Sequence, residues 1–197
     1  MKAVLSEFLG TFILSLVVIC GIAAKNPPLA VPVLAALTLM FLVYLLGGIS
    51  GAHINPGVSV GLWWHGKLPL NTMFQYLIAQ FAGAMVARWF AGRFLKLTWN
   101  LVATQGISVT WGEIIGTAML TMAVGFVVWG KVKEQLSGVI IGVGLFLGIV
   151  LAMNVSNGIL NPAVALALKS ASITYLLAPV LGGIIGIYIS KYFYQEK

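Results

Sequence analysis

Aspartate is absent from this 197-residue chain, whose only acids are Glu7, Glu113, Glu134 and Glu196. Charged residues make up 8% of the sequence, against about 25% in a soluble domain, too few to solvate a globular surface. There is one cysteine, Cys20, so no internal disulfide can form and no thiol pair is at hand for a metal. The two histidines, His53 and His65, stand at opposite ends of one short segment and cannot share a metal ion. No nucleophile, base and orienting group occur in a recognisable set. Neither an enzyme nor a resident cofactor or metal is expected.

What the chain has is apolar surface. Hydrophobic residues make up 60% of it and the mean hydropathy is +1.05. The net charge of +7 comes from 11 Lys and Arg scattered over loops and helix ends, which read as anchors to lipid headgroups rather than a nucleic-acid surface. Six runs are long enough to cross a membrane, at about 20 residues each: 3–24, 29–50, 70–91, 112–130, 137–155 and 172–193. The first of them, ending in "CGIAAK", imitates a signal peptide, but the internal repeat needs it in the mature protein. Many of the 23 glycines lie within the runs, which suits closely packed transmembrane helices.

Two further apolar segments are too short to cross. "HINPGVSVGLWWHG" (53–66) and "ILNPAVALALKS" (159–170) each offer about ten helical residues, about 15 Å at the α-helical rise. They read as re-entrant half-helices. The halves of the chain also match at a constant offset of 106: Glu7 with Glu113, Gly10 with Gly116, Thr11 with Thr117, Ser50 with Ser156, Asn55 with Asn161 and Pro56 with Pro162. This is a tandem duplication, repeat 1 at about 1–96 and repeat 2 at about 107–197 of a single domain. Three spans per repeat make the second enter from the opposite face, giving an inverted repeat whose half-helices meet near the midplane. Charge does not fix the orientation. With the N-terminus inside, Lys2, Lys67, Lys131, Lys133, Lys191 and Lys197 stand against Lys25, Arg88, Arg93, Lys96 and Lys169.

Asn is a good helix N-cap and Pro suits the first helical position. Two half-helix N-termini meeting at mid-depth oppose cations through their dipoles. Asn55 and Asn161 add amide donors there, and unwound backbone at this depth is tolerable where it lines a wet cavity. The pattern describes a pore for neutral, hydrogen-bonding solutes.

At "SEFLGTF", "SGAHINPG", "YLIAQFAGA" (76–84) and "NPA" (161–163), over essentially the whole chain, the sequence resembles the aquaporin or major intrinsic protein family. The resemblance implies an all-α membrane protein of six spanning helices plus two half-helices, with one pore per protomer. It also implies a multi-pass protein of the cell membrane, embedded in lipid, usually a homotetramer, passing water or small neutral solutes such as glycerol. The pore motifs would be Asn55, Pro56 and Gly57 with Asn161, Pro162 and Ala163.

Two departures stand out. Gly57 replaces the family's usual Ala, with a small packing effect expected where the half-helices touch. Val164 replaces the usual filter Arg. Matched by spacing, the other filter positions fall at Ala35, Ile149 and Gly158. This set has no charge, no aromatic ring and no side-chain donor, so a wider, apolar constriction is expected, either permissive or closed by dewetting. The resemblance places His53 in the pore vestibule and gives Glu7 and Glu113 a supporting role, holding loop amides from within the bundle. For Glu113, near the start of its run, reaching the membrane interface is the alternative. Gln75 and Gln80 are expected to satisfy neighbouring backbone, and His65, Trp63, Trp64 and the terminal "YFYQEK" to lie at the interface. The competing functions are an inverted-repeat secondary transporter and a non-conducting structural membrane protein.

Overall fold

The computed structural model describes residues 1–195; the tail residues Glu196 and Lys197 lie outside them. Helices α1 (Lys2–Ala23), α2 (Val31–Ser50), α3 (Pro56–Trp64) and α4 (Leu70–Arg93) form the first half. A connector leads to α5 (Ile107–Val128), a short 3-10 turn (Glu134–Leu136), α6 (Ser137–Ala152), α7 (Pro162–Ala167) and α8 (Ile173–Gln195). No strand occurs among the described residues. The six long helices are the six apolar runs, and α3 and α7 are the half-helices. Five of the long helices are apolar enough to cross a membrane by length and composition alone. The sixth, α4, is 24 residues long but carries Gln75, Gln80, Arg88 and Arg93. Gln80 turns into the bundle, whereas Gln75 is exposed and satisfies no neighbour there.

Two boundaries differ from the hydropathy reading. Helix α5 begins at Ile107, directly after Gly106 at φ 132°. The mixed stretch "ISVTW" hides that first turn from a hydropathy scan. Glu113 therefore lies in the second turn of its helix and is fully buried inside the bundle. The second half-helix spans six residues rather than about ten, while α3 spans nine. Both end alike, with one left-handed residue and a backbone bond back over the last turn. In α3 that residue is Gly66 (φ 74°), with Lys67 N–H donating to Leu62 C=O. In α7 it is Lys169 (φ 64°), with Ser170 N–H donating to Ala165 C=O. Helix α7 stops about one turn earlier, so the offset of 106 ends with it.

Packing interleaves the two halves. Within each half α1 lies against α4 and α5 against α8, while α3 packs on α8 and α7 on α4. Small residues allow the approach: a methyl on Gly116 would meet the Gly148 carbonyl oxygen at 2.6 Å, helix α5 against α6. Large side chains such as Phe41, Ile78, Trp89 and Leu177 face outward, as a lipid-facing belt requires.

Candidate functional site

One carboxylate organises each re-entrant loop. Glu7 is fully buried on α1. Its Oε1 accepts from Ser50 Oγ–H at 2.7 Å and His53 N–H at 2.9 Å, and its Oε2 from Ile54 N–H at 2.6 Å and Gln80 Nε2–H at 2.8 Å. On α5, Glu113 Oε1 accepts from Ser156 Oγ–H at 2.7 Å and Ile159 N–H at 3.1 Å, and Oε2 from Leu160 N–H at 2.7 Å. A buried carboxylate is tolerable only when hydrogen-bonded in this way.

The two loops carry backbone that their sequences resist. Ile54 and Leu160, one repeat apart, adopt φ 54° and 55°. A bulky or β-branched residue there is a genuine outlier, held because its surroundings over-determine it. The carboxylates grip the two N–H groups. The Asn side chains grip the two carbonyls, each from the other repeat: Asn55 Nδ2 donates to Leu160 C=O and Asn161 Nδ2 to Ile54 C=O, both at 2.9 Å. Each Asn Oδ1 caps its own half-helix, Asn55 accepting from Gly57 N–H at 2.8 Å and Asn161 from Ala163 N–H at 3.0 Å and Val164 N–H at 3.3 Å. Pro56 and Pro162 occupy the first helical positions. Each Nδ2 has two hydrogens, one of which goes to the opposite carbonyl, and both residues line one cavity.

That cavity, of about 250 Å³, lies between the halves. Its lining runs from Ile22 in the last turn of α1 and Val31 at the start of α2 to Val124 near the end of α5 and Ile141 in the second turn of α6. Ala35, Ile149, Gly158 and Val164 all line it, as do His53, Asn55 and Asn161. Gly158 is in the left-handed region (φ 59°), and a methyl on it would approach the Ile149 side chain at 3.1 Å. The polar lining comes from both repeats, His53 and Asn55 from the first and Asn157 and Asn161 from the second. Only the first backs it with a chain of side chains: His53 Nδ1 pairs with Ser59 Oγ at 3.0 Å, and Ser59 Oγ accepts from Gln80 Nε2–H at 2.9 Å. The corresponding positions 106 residues on are Ile159, Ala165 and Gly186. Sequence reading did not find Ser59, or Tyr76, whose hydroxyl donates to Ser50 C=O at 2.9 Å. His65 is drawn inward, its Nε2 lying 3.0 Å from Ile184 C=O.

Gly57 corrects an expectation. Its missing methyl does not face the other half-helix; a Cβ there would stand 2.7 Å from the Pro179 carbonyl oxygen of α8. The glycine is what lets α3 lie against α8. Among the described residues no three His, Cys, Asp or Glu side chains gather closely enough to hold a metal.

Six long helices around two half-helices, whose capping asparagines cross-brace beside a cavity lined from both halves, define a membrane channel protein. The family model described as major intrinsic protein matches residues 1–194. The chain is 32% identical to Aquaporin Z of Brucella melitensis biotype 1, over 94% of this chain and 95% of the relative. It is 29% identical to glycerol uptake facilitator protein-like 6 of Lactiplantibacillus plantarum, over 97% of each. The solved structure of the aquaglyceroporin from Plasmodium falciparum shares the fold, with a TM-score of 0.71 at 21% identity, over 99% of this chain and 96% of that one. The chain belongs to the major intrinsic protein family.

Proposed function

We propose that the cavity is the conduction path of a channel that admits water and neutral solutes up to the size of glycerol. As a member of its family the chain is a passive channel for water and small solutes. One observation carries the assignment of the path: Asn55 and Asn161, cross-braced through their amides, line the same cavity at the N-termini of the two half-helices. A solute oxygen accepts from those amides at the point where both helix dipoles repel a cation. Ala35, Ile149, Gly158 and Val164 form the filter, which selects by cross-section because it holds no charge. His53 lies in the vestibule, and Glu7 and Glu113 hold the loops in shape. The assembly is a homotetramer in the cell membrane, each protomer with its own pore.

The test is stopped-flow light scattering on proteoliposomes, shocked separately with sucrose and glycerol. Fast shrinkage in sucrose, and shrinkage followed by rapid reswelling in glycerol, is the expected result. Rates equal to those of empty liposomes, with the protein shown to be folded, would overturn it. Saturation with counterflow would point instead to a transporter.

A further inference from the structure

The connector between α4 and α5, residues 94–106, has no counterpart in the repeat. It is nonetheless firmly attached to the second re-entrant segment. Leu101 C=O accepts from Ser170 Oγ–H at 2.6 Å, and Val102 C=O from Asn157 Nδ2–H at 2.9 Å. Thr104 Oγ1 lies 2.9 Å from the hydroxyl of Tyr175, a fully buried side chain. The same hydroxyl accepts from Asn157 N–H at 2.9 Å, so it ties the connector to the second re-entrant loop. Trp99 is 8% exposed, with the Lys169 ammonium 4.3 Å from its ring centroid. These anchors hold the strap on the residues that flank Gly158 and follow α7. Leu101, half-buried, lines the cavity together with Ala35, Ile149, Gly158 and Val164.

We propose that Leu101 is a specificity-determining residue, a fifth wall of the filter supplied by the connector. The inference rests on the cavity being the conduction path. Ala35 and Gly158 contribute almost no side chain, and Val164 is short. The mouth on this face therefore depends on a residue from outside the repeat to limit its width. Leu101 has no polar atom to offer a solute, so it acts by exclusion. Anchoring the carbonyls of Leu101 and of the next residue fixes the direction in which its side chain points.

The experiment compares water, glycerol and the four-carbon polyol erythritol in proteoliposomes of wild type, Leu101→Ala, Leu101→Trp and Leu95→Ala. Leu95 sits in the same connector, exposed and away from the cavity. Leu101→Ala should raise the erythritol-to-water permeability ratio by about tenfold, and Leu101→Trp should lower the glycerol-to-water ratio by a similar factor. Leu95→Ala should leave both ratios at the wild-type value. Thr104→Val, which cuts one anchor and changes no side chain that lines the cavity, should shift the ratios in the direction of Leu101→Ala. A conducting wild type whose ratios are unchanged in both Leu101 variants overturns the inference and leaves the channel reading standing. Silence of the wild type with flux through Leu101→Ala supports it, as closure by Leu101. Silence of all four overturns both.

Discussion

Val164 and Gly57 are the two residues at which this chain departs most from the family pattern, and they act differently. Val164 lines the cavity at the N-terminal turn of α7, its N–H capped by Asn161. Replacing it with Arg puts a guanidinium into an apolar ring that has no carboxylate. Val164→Arg is expected to cut glycerol uptake by about tenfold or more while slowing water less, as measured by the reswelling rate. Equal slowing of both solutes would place the limiting constriction elsewhere. Gly57 matters for packing. A Cβ 2.7 Å from the Pro179 carbonyl meets backbone rather than a side chain that can swing away. Gly57→Ala should destabilise the protein by the order of overpacking, about 1–3 kcal/mol, seen as a lower midpoint in a detergent thermal-aggregation assay. An unchanged midpoint would mean that α8 shifts freely. The Asn pair and both buried glutamates stand out in the sequence because each occupies a fixed place in a repeated pattern, whereas Val164 stands out only through the family resemblance, directly after the second Asn-Pro-Ala. The partner of Gly57 could not, since Pro179 lies far along the chain and only the folded bundle brings the two together.

At the scale of the element, the half-helices carry the electrostatics. Each N-terminus presents about half a positive charge, and the two are tied by reciprocal Asn-to-carbonyl bonds of 2.9 Å. Asn55→Asp replaces an amide donor with a carboxylate facing the Leu160 carbonyl. It loses that bond and sets a negative charge where the dipoles had opposed cations. Sodium leak into proteoliposomes is expected to rise, and water flux to fall. A leak unchanged from wild type would remove the dipoles from the account of ion exclusion. The existence of both half-helices was legible, because Asn-Pro opens each and neither run can cross. Their lengths were not. The end of α7 is set by Lys169 in the left-handed region, a position where sequence signals lead one to expect glycine. The start of α5 was missed for a related reason: its first turn mixes polar and apolar residues and is placed by Gly106, not by hydrophobicity.

For the whole molecule, the offset of 106 exposed the duplication and therefore the inverted topology, since three spans per repeat leave no other arrangement. The connector was illegible for the opposite reason: it has no repeat partner and no periodicity, so only the folded chain, with its hydrogen bonds to Asn157, Ser170 and Tyr175, places Leu101 in the lining of the cavity. The structure also separates what each half does for itself from what it needs. The loop clamps are internal to a repeat: Glu7 holds Ser50, His53 and Ile54, and Glu113 holds Ser156, Ile159 and Leu160. The half-helices are not internal. Helix α3 buries its face on α8, α7 packs on α4, and the strained carbonyls of Ile54 and Leu160 find their donors in the opposite repeat. The first half alone would leave the Ile54 carbonyl and the apolar face of α3 without partners, and the second would keep for the Leu160 carbonyl only the 3.4 Å bond from Thr117 Oγ–H. An unpaired buried carbonyl costs about 1–3 kcal/mol. Segments 1–96 and 97–197, expressed separately, are therefore expected to aggregate or be degraded, and expressed together to copurify as a folded pair. The second segment keeps residues 97–106 of the connector and with them its anchors. A monodisperse, thermally cooperative segment 1–96 on its own would show that the first repeat is a self-sufficient folding unit, and that the cross-bracing tunes the pore without holding the bundle together.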